Sequence, residues 1–382
     1  MIRQMGARYL NDVIDTVPGW SLTQHYHGWP LISVDGASGY ASSYILFMIN
    51  SLIMNNVLYG TGSFNGFLDL DNVKRIEFVT GPGSALYGSG AMAGIVNVIT
   101  KEAEDVDGLQ VTGRGGSYNT WEGNALFGKS IEGLEITGYL DYMNTDGFRG
   151  HVERDMQTLL DEQFGTDLSL APGNMKGDAN QWDGQLTMKY GAFKFDGKYF
   201  GRKHDLPFGY YPTLDNRSFN DHSQYYLNLS YNEAVMEGLD ISAKVYRNQY
   251  MDSITEQIRP KGAWVNTPSG PTRLSQDMYF VYEPKTSRTG LEAQSSYEIW
   301  DANIIVGGIT FEQMESYDNG VKGTYLPTGS QFAVIPLSSL QSWPESDCNP
   351  DIKRELWAAY LEDVWDIRND LRLTIGGRYD HY

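Results

Sequence analysis

Two glycine-rich stretches have the spacing of known phosphate-binding loops. Gly123-Asn-Ala-Leu-Phe-Gly-Lys-Ser130 matches the pattern G-x-x-x-x-G-K-S, and Gly88-Ser-Gly-Ala-Met-Ala93 matches the weaker pattern G-x-G-x-x-A. Both patterns bind phosphate where the loop opens a helix, whose N-terminal N–H groups face the anion. Here they lead into segments with the pattern of strands, Leu134–Tyr142 and Gly94–Thr100. We therefore interpret both stretches as turns and strand ends.

The other reactive side chains do not form a catalytic or metal-binding set. His25 and His27 share one face of an extended segment, but they lack a third ligand nearby. Cys348 is the single cysteine, which excludes an internal disulfide and a cysteine metal cluster. The pattern G-x-S-x-G of serine hydrolases does not occur in the sequence. We expect no enzymatic activity, no metal site and no cofactor.

Composition favours a large protein that is rich in strands. The 382 residues are 41% hydrophobic and include 42 glycines and 26 tyrosines, which suggests short strands and tight turns. A net charge of −19 argues against nucleic acid as a partner. The longest apolar stretch, Tyr44–Met54, falls short of the roughly 20 residues of a membrane helix. A membrane span would therefore have to be a β-barrel, because only helices and closed barrels satisfy the backbone in lipid.

Strict alternation of apolar and polar residues begins near Gly108. Phe193, Phe195 and Tyr199 fall on one strand face, and Lys194, Asp196 and Lys198 fall on the other. About eleven such strands are joined by links that are alternately short and long, the long ones near 146–180, 203–221, 252–287 and 316–353. Several long structureless loops are unusual in a soluble domain but usual in an outer-membrane barrel. This pattern favours a transmembrane antiparallel barrel over a soluble β-sandwich.

The sequence divides into two regions with different patterns. Residues 1–104 mix short helical and strand segments, which predicts a small α+β domain. Residues 105–382 carry the alternating strands, which we interpret as about half of a barrel of roughly 22 strands. An open half-barrel would leave unpaired N–H and C=O groups in lipid, so we expect further strands beyond Tyr382. The start lacks a signal peptide, and we expect it to be truncated as well.

The stretch Asp71–Lys101 closely resembles the plug signature of TonB-dependent outer-membrane receptors. The match has no gaps, and Leu10–Gly19, Ser287–Gln294 and Glu355–Asp363 resemble other parts of the same family. The signature residues in this sequence are Arg75, Glu77, Gly81, Pro82, Gly83, Ser84, Leu86, Tyr87, Gly88, Gly94 and Asn97. The resemblance implies that residues 1–104 are a plug domain that fills the barrel.

The resemblance also implies a function and partners. Members of this family import scarce large solutes across the outer membrane of Gram-negative bacteria, with energy from TonB, ExbB and ExbD. We expect a ferric siderophore as the ligand, with cobalamin or haem as alternatives, and outer-membrane lipid around the barrel. The expected ligand contacts are Tyr59, Phe64 and Phe67, in the plug's apical loops. A passive porin and a nonfunctional truncated remnant are the rival interpretations.

Three departures from the family pattern affect how the plug is expected to work. Thr80 replaces a second arginine, Asn50-Ser51 replaces an Asp-Gly turn, and no energy-coupling box for TonB is found. As it stands, this sequence would not be driven by TonB. The remaining plug arginine, Arg75, is expected to pair with a lumen-facing barrel glutamate, Glu292 ahead of Glu362. The partner could also lie in the missing half of the barrel.

Overall fold

The computed structural model describes residues 5–25, 30–39, 42–62, 67–83, 88, 90–300, 302–328, 330–345, 348–368 and 370–382. The first elements are α1 (Asn11–Ile14), β1 (Trp20–Gln24), β2 (Pro30–Val34), β3 (Ile45–Ile49), β4 (Leu52–Ile53), β5 (Val73–Thr80), β6 (Gly94–Thr100) and α2 (Ala103–Val106). Next come β7 (Gly108–Gly116), β8 (Thr120–Ile131), β9 (Leu134–Thr145), β10 (His151–Val152), α3 (Met156–Phe164), β11 (Gly173–Asn174), β12 (Ala179–Tyr190) and β13 (Phe193–Asp205).

The remaining elements are all strands. They are β14 (Phe219–Met236), β15 (Leu239–Arg259), β16 (Trp264–Thr267), β17 (Gly270–Arg273), β18 (Met278–Tyr282), β19 (Lys285–Trp300), β20 (Asn303–Tyr317), β21 (Val321–Thr328), β22 (Ser330–Ser342), β23 (Ile352–Arg368) and β24 (Leu371–His381). None of the described helices is long and apolar enough to cross a bilayer.

The first elements, from α1 to α2, form an N-terminal unit around a small sheet. The strand order of this sheet is β4-β3-β6-β5, with β3 parallel to β6. All five residues of β3 are buried, because apolar clusters lie on both sides of the sheet. Gly94 has no room for a side chain, since a Cβ there would lie 2.9 Å from both the Trp20 ring and the Val79 carbonyl oxygen. This glycine of the predicted signature therefore permits close packing between β5, β6 and Trp20.

Eleven strands of the described residues follow one another as antiparallel neighbours and form the long sheet: β7, β8, β9, β12, β13, β14, β15, β19, β20, β23 and β24. At one end the links are two residues long, as at Glu132-Gly133, where both φ angles are positive (51° and 85°). Turns of this kind match the right-handed twist of a hairpin. The antiparallel barrel wall predicted from the alternation is confirmed.

The two faces of the long sheet differ as the alternation predicts. Phe193 and Tyr199 are 56% and 48% exposed on the outer face, whereas Asp196 and Lys198 on the inner face are 1% and 6% exposed. The outer face also carries a row of aromatic rings near the long-loop end, where Trp121, Tyr142 and Trp182 stack side by side with centroids 5.0 and 4.3 Å apart. Rows of aromatic side chains are typical of the membrane interfaces of barrels.

The long links contain more structure than the sequence predicts. The region expected to be structureless between 252 and 287 contains the end of β15 and the short strands β16, β17 and β18. Strands β18, β21 and β22 pair beyond the long sheet, and Ile258, Met278 and Tyr325 pack into an apolar cluster there. Burial of these apolar side chains stabilises the added strands. Periodicity missed β16, β17 and β18 because these strands are only four or five residues long.

The outer face generates a test of which side chains meet lipid. We expect Val245→Arg, on the outer face of β15, to destabilise the folded protein by up to roughly 2–4 kcal/mol, because a charged group would have to enter lipid. Ser242→Arg is the control, since Ser242 lies on the inner face of the same strand. The measurement is the heat-modifiable folded fraction of the full protein in lipid bilayers. Equal loss in both variants would contradict this assignment of the faces.

Candidate functional site

The main polar contact between the N-terminal unit and the inner face surrounds Asp69 and Asp71, in the segment that leads into β5. Arg114 of β7 donates through Nη2 to Asp71 Oδ2 at 2.6 Å and through Nη1 to Glu122 Oε1 of β8 at 2.6 Å. Arg8 forms a second ion pair with Glu122. Each side of the contact therefore contributes both an arginine and a carboxylate. The N-terminal unit supplies Arg8 and Asp71, and the long sheet supplies Arg114 and Glu122.

Neutral side chains complete this contact. The Tyr139 hydroxyl donates to Asp69 Oδ1 at 2.6 Å, and the Asn124 amide donates to Asp71 Oδ2 at 2.6 Å. Asp69 and Glu122 have side chains that are only 1% exposed. Burial raises the pKa of the Asp69 carboxyl above its ordinary value, and the hydrogen bond from Tyr139 opposes that rise. We call Arg8, Asp69, Asp71, Arg114, Glu122, Asn124 and Tyr139 the upper contact.

The upper contact also has the spacing of a cation site. Carboxylate oxygens of Asp69, Asp71 and Glu122 lie within 4.8 Å of one another. Arg8 and Arg114 already supply the positive charge that these oxygens need. The arrangement therefore acts as an ion-paired joint between two parts of the chain.

A second polar contact, nearer the short-turn end, is centred on Asp196 of β13. The Asn50 amide of the β3–β4 turn donates to Asp196 Oδ2 at 2.6 Å, and the Tyr226 hydroxyl donates to the same oxygen at 3.0 Å. Gln185 joins both parts of the chain, since it donates to Asp196 Oδ1 at 2.9 Å and accepts from the Asn72 amide at 2.8 Å. We call Asn50, Asn72, Gln185, Asp196 and Tyr226 the lower contact.

The structure joins several residues of the predicted signature on the β5–β6 surface. Arg75 Nε donates to Glu77 Oε1 at 2.7 Å, and the Asn97 amide donates to Glu77 Oε2 at 2.9 Å. Asn97 Oδ1 accepts from the backbone N–H of Ser51 at 3.1 Å. These polar groups stabilise the surface of the N-terminal unit itself.

The predicted ion pair between Arg75 and Glu292 or Glu362 is not formed among the described residues. Glu77 lies two positions from Arg75 on the same strand and neutralises it, while Lys244 faces Glu292 across the β15–β19 pair at 3.1 Å. Lys244 also donates to the Ser51 carbonyl at 3.3 Å, so Arg75 and Glu292 are connected only through other residues. Arg75 and Glu292 are therefore each paired with a different, nearer residue of opposite charge. A pairing of Arg75 with a barrel glutamate in the whole protein stays a prediction.

Other predicted residues are placed as follows. Glu292 and Glu362 both line a cavity of about 480 Å³ between the N-terminal unit and β15, β19, β20, β23 and β24. Gly81 has a φ of 99°, and backbone N–H groups of Gly81 and Gly83 donate to Ala93 and Ala91 across the loop that contains Pro82. Gly88 also has a positive φ, 78°. Ser84, Leu86, Tyr87 and Phe64 lie outside the described residues.

The two described members of the predicted ligand set lie at the long-loop end of the N-terminal unit. The ring of Phe67 lies 3.9 Å below the guanidinium carbon of Arg202 on the inner face, and its edge meets Tyr9. Tyr59 belongs to a turn in which its backbone N–H donates to Asn56 Oδ1 at 3.2 Å. Among the interactions of the described residues, none joins Tyr59 to Phe67.

Sequence reasoning missed the residues of the upper and lower contacts. The alternation does place Arg114, Glu122, Tyr139 and Asp196 on the face opposite the apolar residues of their strands, which identifies them as inward-facing. It does not say which residue of the N-terminal unit each one meets. That pairing depends on contacts between residues 43–146 positions apart, which no local pattern records.

Comparison with known proteins gives consistent matches. Residues 1–95 match the family model described as TonB-dependent Receptor Plug Domain. The vitamin B12 transporter BtuB of Vibrio vulnificus (strain CMCP6) is 25% identical over 93% of this chain and 61% of its own length.

Solved structures agree in fold at low sequence identity. The copper transporter OprC has a TM-score of 0.66 and 14% identity over 98% of this chain and 52% of its own. The ferric citrate transporter FecA in its unliganded form has a TM-score of 0.66 and 15% identity over 99% of this chain and 54% of its own. The chain thus spans between half and two thirds of the length of these proteins.

The upper contact generates a mutational prediction. Arg114→Gln leaves the buried carboxylates of Asp71 and Glu122 with less positive charge nearby. We expect this to lower the stability of the contact by roughly 2–3 kcal/mol, a moderate value because Arg114 itself is a third exposed and is partly screened by water. Amide hydrogen exchange in residues 68–73 should then accelerate by roughly 30- to 150-fold. Arg372→Gln, which breaks an exposed ion pair with Asp366, is the control and should leave this exchange unchanged. The same exchange rates in both variants would contradict the role of Arg114.

Proposed function

We propose that this chain, which belongs to the TonB-dependent receptors, contributes the plug and about half of the barrel wall of an outer-membrane transporter. The plug is residues 1–104, and the wall is residues 105–382. The observation that carries the proposal is the buried polar joint between the two, at Arg114–Asp71 and Asn50–Asp196. A passive porin has an open, water-filled lumen, whereas here the inner face is covered by the N-terminal unit.

The outer membrane of a Gram-negative bacterium is the proposed location. The exposed apolar outer face and its aromatic row suit contact with lipid, and the charged inner face suits a filled lumen. The two-residue turns would face the periplasm, and the long links with their added strands would face the outside of the cell. Ligand would then enter from the end that carries Phe67 and Tyr59.

A ferric siderophore is the proposed cargo, and cobalamin is the second candidate. Each is the kind of ligand named for a similar protein, a ferric chelate for FecA and vitamin B12 for BtuB. No covalent step is part of the proposal, since transport requires binding and release alone. Tyr59, Phe64 and Phe67 are proposed to contact the cargo from the plug side.

TonB, with ExbB and ExbD, is the proposed energy source. The joint between plug and wall is polar at both contacts, so its hydrogen bonds can be exchanged for water when the plug moves. A joint made of apolar packing alone would lose more free energy on wetting. In the whole protein, the exposed side chains of Arg75 and Glu77 are proposed to face the rest of the barrel. A glutamate of that part of the barrel, in place of Glu292 or Glu362, would then pair with Arg75.

Energised uptake is the direct test of this function. Cells that express the full-length protein as their only receptor should accumulate radioactive iron from a mixture of secreted siderophores, and deletion of TonB should reduce accumulation to background. Accumulation of labelled cobalamin instead of iron would favour the second candidate. Uptake of either solute that is unaffected by TonB deletion would contradict the proposal and favour a passive channel.

A further inference from the structure

A line of aromatic side chains crosses the outer face of the long sheet, and it is interrupted at β15 and β19. From β8 to β24 the line is formed by the outward-facing residues Trp121, Tyr142, Trp182, Tyr199, Tyr225, Phe311, Trp357 and Tyr379. It shifts toward the short turns from strand to strand, as tilted strands require. Between its members on β14 and β20, β15 and β19 carry Arg247 and Thr289, which lie opposite each other in the register. A cation therefore occupies a position of this aromatic line.

Arg247 lies at the upper edge of the apolar band on its own strands. Toward the short turns, the next outward residues are Val245 and Leu291, which are 49% and 51% exposed. Arg247 is eight positions beyond Leu239, the first residue of β15. With the rise and tilt of a barrel strand, this places it roughly 20 Å above the short turn, in an apolar band about 25 Å tall. The guanidinium is therefore near the level where lipid headgroups begin.

The partners of the exposed Arg247 are uncharged. Its Nη1 donates to Thr289 Oγ1 at 3.2 Å, and its Nη2 donates to Gln249 Oε1 at 3.5 Å. Gln249 is held in place by two hydroxyls, since it accepts from Tyr225 at 2.8 Å and donates to Tyr317 at 2.9 Å. A guanidinium has five N–H donors, so these contacts orient Arg247 and leave donors for a ligand.

The carboxylates of the outer face do not neutralise Arg247. Among the described residues, no carboxylate forms an ion pair with it. Glu315 and Glu355 face outward on β20 and β23, two and three strands away from β15, which is roughly 10 and 15 Å. Glu315 is paired with Lys353 at 3.8 Å. The positive charge at the edge of the apolar band thus lacks a counter-ion from the described part of the chain.

We propose that Arg247, with Thr289, binds the phosphate group of a lipid in the outer leaflet. The inference rests on the proposed outer-membrane location and is independent of the cargo. A guanidinium binds phosphate through parallel N–H donors, and the Thr289 hydroxyl can donate a further hydrogen bond. The acyl chains of the same lipid lie over Val245 and Leu291. A lipid satisfies both parts of this surface, whereas a free phosphate ion satisfies only the cation.

Native mass spectrometry of the full-length receptor in detergent tests this site. The probe is dioleoyl phosphatidic acid, and dioleoylglycerol is the matched lipid because it lacks only the phosphate. We expect the wild type to prefer phosphatidic acid, and Arg247→Gln to lose affinity for it by on the order of tenfold. Lys353→Gln is the control variant, because Lys353 is also an exposed cation of the outer face but is paired with Glu315. It should bind like the wild type.

Further measurements separate the lipid site from a structural role and from a site for free anions. The heat-modifiable folded fraction of Arg247→Gln in lipid bilayers should equal that of the wild type, since the side chain is exposed. Arg247→Lys, which keeps the charge but loses the planar donors, should bind with intermediate affinity. Equal affinity of the wild type for both lipids, or of the wild type and Arg247→Gln for phosphatidic acid, would overturn the proposal. Complete displacement of phosphatidic acid by millimolar inorganic phosphate would do the same.

The outcome for the lipid site is independent of the outcome for transport. If phosphatidic acid binds regardless of Arg247 but uptake depends on TonB, the lipid site is wrong and the transport function stands. If binding depends on Arg247 but uptake does not depend on TonB, the lipid site stands and the proposed function fails. Each result therefore addresses one of the two proposals.

Discussion

The structure depends on one constraint: charged groups inside the barrel must find opposite charges or hydrogen-bond partners across the contact between plug and wall. An inner face lined by Arg114, Glu122, Lys198 and Asp196 could not be covered by an apolar domain without a large desolvation cost. The plug meets this requirement with short polar side chains, such as Asp71 and Asn50, placed in its turns. The apolar sheet of the plug is kept behind those turns and packs mostly on itself.

Strand register determines which polar groups are available to the plug. The two-residue turns, such as Glu132-Gly133, fix how neighbouring strands pair, and a slip by one residue would turn every inner side chain outward. The same register brings Lys244 opposite Glu292 and Arg202 opposite His222. The first pair is neutral overall, whereas the second includes an arginine that is not paired with a carboxylate among the described residues.

The amount that could be predicted from sequence differs between the fold and the site. Alternation within single strands is a local property, so it predicted the barrel wall and the inward position of Asp196 and Lys198. The plug signature likewise occupies consecutive residues. The partner of Arg75 was not predicted in this way, because two other pairs form instead. Glu77 pairs with Arg75 on the same strand, and Lys244 pairs with Glu292 through a cross-strand contact that no local pattern records. Asp71 and Arg114 are 43 positions apart, and no local sequence pattern predicts that they form an ion pair.

The central claim is that the plug is seated on the inner face of the wall. Cross-linking of the full-length protein by a short bismaleimide tests it, in a background with Cys348→Ser. Cysteines at Asn72 and Gln185, whose side chains are 2.8 Å apart, should link rapidly, as seen by a shift in gel mobility. Cysteines at Asn72 and Leu186 should not link, since Leu186 is 42% exposed on the outer face of the same strand. Equal yields for the two pairs, or a higher yield for the second, would contradict the account.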